Sequence, residues 1–192
     1  MTKNTLSLLL LVFASYVIPS QAHTEHEEIQ VQTTFEVNNR QQLSAISMVW
    51  IYDTFSSEDM LSHEKDINRL AKILISDLSR FNFLTRINIG DRRIVANRVN
   101  KYRMIKIKDR DNNPALQLSF TLLLNKPIAI SKVKNIKIDH SDPTGKGILF
   151  YDKAADISLT GSLKSKCRSS VKEKKEFIEG QFPQIATVTC GT

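Results

Sequence analysis

The sequence predicts an α+β domain of mostly antiparallel strands, built as a β-sandwich or a strongly curved sheet with one main amphipathic helix packed on it. Three observations support this class. Apolar and polar residues alternate with the period of a strand in a series of short segments, one longer segment has the spacing of a helix, and no linker rich in Gly, Pro or Ser divides the chain. We therefore expect one exported domain over residues 23–192.

The first 22 residues are typical of an export signal that is removed from the mature protein. Lys3 gives the positive start, residues 6–17 form the apolar stretch, and Ser20-Gln21-Ala22 supplies the small residues of the cleavage site. The alternative is a membrane anchor, but the apolar run is shorter than the roughly 18 to 20 residues that a helix needs to cross a bilayer. We therefore expect a periplasmic protein that begins at His23 and has no transmembrane span.

The first mature segments are predicted to form a long antiparallel hairpin. Residues 29–37 and 46–52 alternate between apolar and polar side chains, and residues 38–41 between them have turn chemistry. One face of the hairpin is expected to be buried, and its predicted core members are Phe35, Met48 and Trp50.

A helical pattern follows the hairpin. Ser56-Ser57-Glu58-Asp59 offers a cap and the acidic residues that suit the positive start of a helix. Apolar residues then recur at three- and four-residue spacing over residues 67–81. This predicts one amphipathic helix over residues 62–80, with room for a separate short turn at residues 57–61, and its apolar stripe is expected to cover a sheet.

The rest of the chain is predicted to be mostly strand. A second, weak helix is expected near residues 172–179. The alternating or short apolar segments that we interpret as strands are residues 84–89, 92–95, 102–108, 115–124, 133–138, 147–151, 157–159 and 185–190.

Two cysteines remain in the mature chain, Cys167 and Cys190. In an oxidising compartment a disulfide is the default for such a pair, and it would hold the last strand to the body of the domain. The alternative is a thiolate metal site or a catalytic thiol. There is no CxxC spacing and no nearby His, so we expect the disulfide.

Without the leader the formal charge is (27 − 1) − 20 = +6, because the leader contains one Lys and no acid. A basic surface favours anionic lipid headgroups, nucleic acid or an acidic partner protein. Export argues against nucleic acid, so no nucleic-acid partner is expected. Segments such as Lys101-Tyr102-Arg103 are also the ordinary pattern of a solvated sheet face, and the charge alone does not identify a partner.

No catalytic motif is apparent. The chain lacks G-x-S-x-G, H-E-x-x-H and G-x-x-x-x-G-K, and Gly145-Lys146-Gly147 is too short for a phosphate loop. We therefore expect no enzyme activity, no catalytic residue and no organic cofactor.

The predicted mature terminus gathers metal-binding groups. His23 offers its free amine and its ring, and His26 or Glu25 is the next candidate ligand, with further carboxylates at Glu27 and Glu28. Imidazole and amine nitrogens suit a divalent transition metal such as zinc, nickel, cobalt or copper. The alternative is a solvated, frayed end without a metal, as is common for the first residues of a domain.

Later segments offer weaker candidates. His63 beside Glu64, and His140 close to Asp142, each have an acid nearby that can orient the ring, and the alternative for both is an ordinary surface histidine. Asp53 and Asp142 each follow a predicted strand and would form a cation site if they faced each other at one end of the sheet. The alternative is that both carboxylates cap turns by accepting hydrogen bonds from backbone amides.

The order of these features resembles an exported bacterial group, domain-of-unknown-function family one thousand and seven (DUF1007). The resemblance covers essentially the whole mature chain, and the order of short motifs is its strongest support. The matching segments are Trp50-Ile51-Tyr52-Asp53-Thr54-Phe55-Ser56, Phe83-Leu84-Thr85-Arg86-Ile87, Asp142-Pro143-Thr144 and Val188-Thr189-Cys190. The resemblance implies association with nickel, cobalt or zinc transport beside a membrane permease, without an established activity.

The chain also departs from the family pattern. Many relatives begin His-Pro-His, whereas this mature chain would begin His23-Thr24-Glu25-His26, so a site built from the first and third residues is altered. Relatives often have aromatic residues after the D-P-T segment, where this chain has Gly145-Lys146-Gly147. Some relatives also carry an acidic, calcium-loop-like insertion before the main helix, which this chain lacks, so no calcium site is predicted. Two functions therefore stay open: a periplasmic metal-binding accessory of a transporter, and a non-metal adaptor that docks on a membrane transporter or another envelope protein.

Overall fold

The computed structural model describes residues 27–96, 98–109, 111–173 and 184–191. The predicted leader, His23, Glu25 and His26 lie outside the described residues. The described elements are β1 (Glu27–Val37), β2 (Gln42–Tyr52), α1 (Thr54–His63), α2 (Ile67–Arg80), β3 (Thr85–Ile89), β4 (Arg92–Ile94), β5 (Arg98–Lys108), β6 (Pro114–Ala129), β7 (Asn135–His140), β8 (Gly147–Phe150), β9 (Ile157–Leu159), α3 (Gly161–Lys166), β10 (Cys167–Glu173) and β11 (Gln184–Cys190).

The strands form two sheets. The first sheet has the order β5-β6-β2-β1-β8, and β9 also pairs with β1. The second sheet has the order β10-β11-β7-β3-β4. All pairs are antiparallel except those of β1 with β8 and β9, which are parallel. The first strand of the domain is therefore an interior strand of the first sheet, held on one side by strands from late in the chain.

The predicted hairpin is confirmed by β1 and β2. Val31 lies opposite Trp50, and the turn between the strands is closed by the Asn38 side chain, whose Oδ1 accepts hydrogen bonds from the backbone N–H groups of Arg40 and Gln42. The predicted core residues Phe35, Met48 and Trp50 are each at most 1% exposed. Trp50 packs edge-on against Phe120, with ring centroids 5.3 Å apart, so its role is packing.

The prediction of one main helix fits only loosely, because two helices form. Asp53 caps α1, three residues before the predicted cap, and α1 ends at His63. Asp66 then starts α2, since its Oδ1 accepts hydrogen bonds from the N–H groups of Asn68 and Arg69 at 2.9 and 3.3 Å. The amphipathic stripe belongs to α2, which buries Leu70 and Ala71 and packs against β5.

The weak helix expected near residues 172–179 is wrong at its start. Lys172 and Glu173 lie in β10, opposite Ile185 and Gln184 of β11, and the remainder of that segment lies outside the described residues. Local helix propensity is overridden here by pairing between strands that a disulfide also joins. The short helix α3 had no counterpart in the prediction.

Both sheets contribute to one hydrophobic core. Phe83, just before β3, stacks at a tilt on Phe120 of β6 with centroids 5.5 Å apart, and it is fully buried.

The strand pairings confirm the mostly antiparallel β class. A simple sandwich fits only loosely, because helices also cover part of the first sheet. Within the described part of the chain, no helix is long and apolar enough to span a membrane.

Candidate functional site

The described chain begins beside the loop that carries Asp142. The backbone N–H of Glu27 donates to the carbonyl of Lys146 at 2.9 Å, and Glu27 lies opposite Gly147 in the parallel pair of β1 and β8. The predicted ligands His23, Glu25 and His26 precede this point directly. Any site they form is therefore attached to this end of the first sheet.

Asp53 holds the start of β1 to the start of α1. Its Oδ1 accepts a hydrogen bond from the Ser56 N–H at 2.7 Å, and its Oδ2 accepts from the Ser56 hydroxyl at 2.9 Å and from the Glu28 N–H at 2.8 Å. The pattern is that of an N-cap whose carboxylate also bridges to a neighbouring strand. Of the motif residues around it, Trp50 is buried in the core and Phe55 is 61% exposed.

Asp142 organises the loop before β8. Its Oδ1 accepts a hydrogen bond from the Thr144 N–H at 2.8 Å, and its Oδ2 accepts from the Gly147 N–H at 2.7 Å. Burial opposes ionisation of Asp142, but these bonds and those from the Thr144 hydroxyl and the Lys146 N–H outweigh it and lower the pKa of the carboxyl. Pro143 lies inside this turn. Both aspartates therefore act as caps, which is the alternative that the sequence left open.

The charges of both capping aspartates act on the Glu27 carboxyl. Burial raises the pKa of the Glu27 carboxyl above its usual value. The negative charges of Asp53 and Asp142 raise it further, and the nearby Lys146 offsets part of this effect. We call Glu27, Asp53 and Asp142 the amino-terminal carboxylates, because all three belong to or hold the amino end of β1, which residues 23–26 directly precede.

The amino-terminal carboxylates are not a metal site by themselves. Among the described residues, no group of three or more His, Cys, Asp or Glu side chains is arranged to hold a metal ion. Most lone pairs of Asp53 and Asp142 already accept hydrogen bonds. A metal at this end needs nitrogen ligands from residues 23–26.

His140, a weaker metal candidate, is used differently. Its Nδ1 lies 3.1 Å from the Thr85 hydroxyl and its Nε2 lies 2.8 Å from the Tyr151 hydroxyl, so both ring nitrogens have hydrogen-bond partners. Tyr151 also bonds the Thr33 hydroxyl at 2.8 Å. We call Thr33, Tyr151, His140 and Thr85 the buried polar chain. His140 and Asp142 do not combine into one site, because the ring is enclosed in the interior while the carboxylate holds its own loop.

The buried polar chain also fixes the charge state of His140. Burial lowers the pKa of the ring to about 4, although the charge of Asp139 and a hydrogen bond with the Leu84 carbonyl favour the protonated form. Burial likewise raises the pKa of Tyr151. At neutral pH the buried polar chain is uncharged, and it joins β1 of the first sheet to β3 and β7 of the second. Sequence reasoning missed Thr33, Thr85 and Tyr151, because nothing in local spacing indicates contacts between residues so far apart.

The predicted disulfide is present. Cys167 and Cys190 are directly opposite each other at one end of the β10 and β11 pair, and they are bonded. The bond joins the start of β10 to the end of β11, and it anchors the last strand as expected.

One comparison identifies the family. A family model described as "Protein of unknown function (DUF1007)" matches residues 8–190. No curated protein matches the chain. The matched segment contains both the Trp50–Ser56 and Asp142–Thr144 segments, whose aspartates cap neighbouring elements at the amino end of β1. The chain therefore belongs to the DUF1007 family.

Proposed function

We propose that this protein is a periplasmic accessory of nickel, cobalt or zinc transport that binds a divalent transition metal at its mature amino terminus. The ligands would be the amine and ring of His23 together with His26 and Glu25. A membrane permease or another transporter component is the proposed partner. No catalytic step and no organic cofactor are part of the proposal.

The observation that carries this proposal is the position of Glu27, Asp53 and Asp142 where residues 23–26 precede β1: Asp53 accepts from the Glu28 N–H, and the Glu27 N–H donates to the Lys146 carbonyl in the loop that Asp142 holds. Three carboxylates whose charges repel one another create a negative potential at the point where the His-led segment begins. A bound cation relieves that repulsion, so this end of the domain favours a metal held by the adjacent nitrogens. The Cys167–Cys190 disulfide is compatible with an oxidising compartment such as the periplasm.

Calorimetric titration with zinc, nickel, cobalt and copper tests the proposal. The protein must begin at His23, verified by mass spectrometry, because an extra residue removes the terminal amine from the ligand set. We expect stoichiometric binding at micromolar or tighter affinity, and a loss of about 100-fold or more in the His23→Ala, His26→Ala variant.

His63→Ala is the matched control. His63 is the last residue of α1, its side chain is 77% exposed, and its Nδ1 bonds within its own helix. Its removal should leave metal affinity unchanged. The proposal fails if no metal binds at micromolar concentration, or if the double variant binds as tightly as the parent protein.

The adaptor alternative is favoured by a separate observation. One edge of the first sheet, β5, is rich in Lys and Arg, which suits docking on an acidic envelope protein. This function requires no metal, so the titration above leaves it standing if the metal proposal fails.

A further inference from the structure

The strand β5 has one unpaired side. It pairs with β6 only, and it lies at the end of the strand order of the first sheet. Among the described residues, no backbone group outside β6 hydrogen-bonds to residues 98–108. An edge strand of 11 residues exposes a row of backbone donors and acceptors that can pair with a further strand.

The side chains of β5 give this edge a single sign of charge. The strand contains five basic residues and no acid: Arg98, Lys101, Arg103, Lys106 and Lys108. All five are exposed. The ion pairs formed within the described part of the chain lie elsewhere, on α1, α2 and the segment between them. The positive charge of the β5 edge is therefore not neutralised by those pairs.

An open trough lies on the outer face of the sheet beside this edge. It encloses about 590 Å³, and its lining includes Ser47, Val49, Lys101, Arg103, Ser119 and Thr121. The Ser47 and Thr121 hydroxyls lie 2.7 Å apart, and Ser47 also donates to the carboxylate of Glu36. The Glu36 carboxylate is thereby engaged by a hydroxyl, whereas Lys101 and Arg103 of β5 line the trough.

We propose that β5 is a docking edge for an extended acidic segment of a partner protein, which adds a strand to the first sheet. Main-chain hydrogen bonds along the edge would supply affinity, and alternate acidic side chains would pair with Lys101 and Arg103 at the trough. This inference deepens the adaptor function and rests on it, and it is independent of metal binding.

A second copy of this chain is a poor match for the same edge, because it would bring five basic residues and no acid against an identical set. The register centred on Arg103 is one example. Antiparallel pairing of two β5 strands about Arg103 places Arg103 opposite Arg103 and Arg98 opposite Lys108. Like charges directly opposite each other destabilise a strand pair. The charges of β5 thus oppose self-association and favour an acidic occupant. Charged side chains commonly protect edge strands from pairing with identical edges.

The test uses the protein from residue 23 and a blocked synthetic peptide in which Glu alternates with Val and Thr. Fluorescence anisotropy gives the affinity at low and physiological salt, and amide hydrogen exchange locates the contact. We expect binding that weakens with salt, and slower exchange of β5 amides. Exchange on the second sheet should be unchanged. Absence of binding at low salt overturns the proposal.

Two peptide controls separate strand addition from nonspecific charge attraction. A peptide of the same charge with alternate N-methylated residues cannot form the ladder, and it should bind at least about tenfold more weakly. A peptide with Lys in place of Glu should not bind. Equal binding of the methylated peptide overturns strand addition.

The matched protein variants carry equal charge changes at different places. Lys101→Glu, Arg103→Glu should weaken peptide binding at least about tenfold at low salt. Lys164→Glu, Lys166→Glu alters exposed residues of α3, which packs near β9 and away from β5, and should change affinity less than about threefold. Equal losses in both variants overturn the assignment to β5. Thermal melting checks that each variant is folded, and Lys101→Gln, Arg103→Gln provides a milder change should the reversal unfold the protein.

Discussion

The Nε2 atom of His140 lies 2.8 Å from the hydroxyl of Tyr151, and both residues are buried where the two sheets meet. Thr33 and Thr85 extend this contact on either side, so that four side chains satisfy one another without charge. The link therefore contributes most when the His140 ring is neutral.

Stability is expected to fall with acidification because of His140. The pKa of the ring is about 4 in the folded protein and about 6.5 in an unfolded chain. Between these two pH values the unfolded state binds more protons than the folded state. The free energy of unfolding therefore decreases as the pH falls from about 6.5 to about 4. The full loss is of order 3 kcal/mol. Urea unfolding measured between pH 7.5 and pH 4.5 gives this slope.

Two variants isolate the contribution of His140. His140→Gln should be less stable at pH 7 but should lose most of the slope between about pH 6.5 and 4.5. His63→Ala removes an exposed ring and should keep the slope of the parent protein. A parental slope in His140→Gln would contradict the prediction.

Asp53 is expected to contribute to stability as a cap and as a bridge. Asp53→Ala removes an acceptor for the N–H groups of Ser56 and Glu28 and for the Ser56 hydroxyl. The expected loss is about 1 to 3 kcal/mol in the free energy of unfolding, measured with urea at pH 7. Asp59→Ala, on the exposed side of α1, should cost less than about 0.5 kcal/mol. Equal losses would argue against the bridging role.

Glu27 is expected to oppose stability slightly when ionised. The pKa of Glu27 is raised in the folded protein. Protonated Glu27 therefore contributes fully to the free energy of unfolding below pH 4.5, its ordinary pKa, and this contribution is lost as the pH rises through the higher folded pKa. Glu27→Gln should therefore stabilise the metal-free protein at pH 7 by about 0.5 kcal/mol or less, because the side chain is partly exposed and screened. Carboxyl NMR titration measures the pKa directly, and a value below 4.5 would contradict the expectation.

The disulfide is expected to stabilise the domain through the loop that it closes. Cys167 and Cys190 are 23 positions apart, for which loop-closure entropy gives about 3 kcal/mol. The Cys167→Ser, Cys190→Ser variant should lose about this much in guanidinium unfolding. Adding a reductant should lower the stability of the parent protein to that of the variant and leave the variant unchanged.

Local patterns in the sequence account for much of the fold. The β1 and β2 hairpin follows from strict alternation and from a turn that Asn38 closes with its own side chain. The break between α1 and α2 had a readable signal in Asp66, a cap residue just before the apolar run. No local signal predicted that β10 is a strand, because its strand conformation depends on pairing with β11.

The candidate site was less accessible to sequence reasoning. Asp53 and Asp142 follow strands as the sequence indicated, and their capping role was one of the two alternatives. Their joint effect on Glu27 depends on the parallel pairing of β1 with β8. The buried polar chain depends on contacts of the same range, since Thr33 and Tyr151 are 118 positions apart. Periodicity reports only neighbours along the chain, so neither arrangement was predictable.

The position of β1 has a consequence for the timing of folding. Its neighbours β8 and β9 are made more than a hundred residues later, as the pairing of Glu27 with Gly147 shows. The interior of the first sheet cannot close until most of the polypeptide has been synthesised, and contacts of such long range form slowly. The native first sheet is therefore completed only late in synthesis, after β8 and β9 have become available to β1.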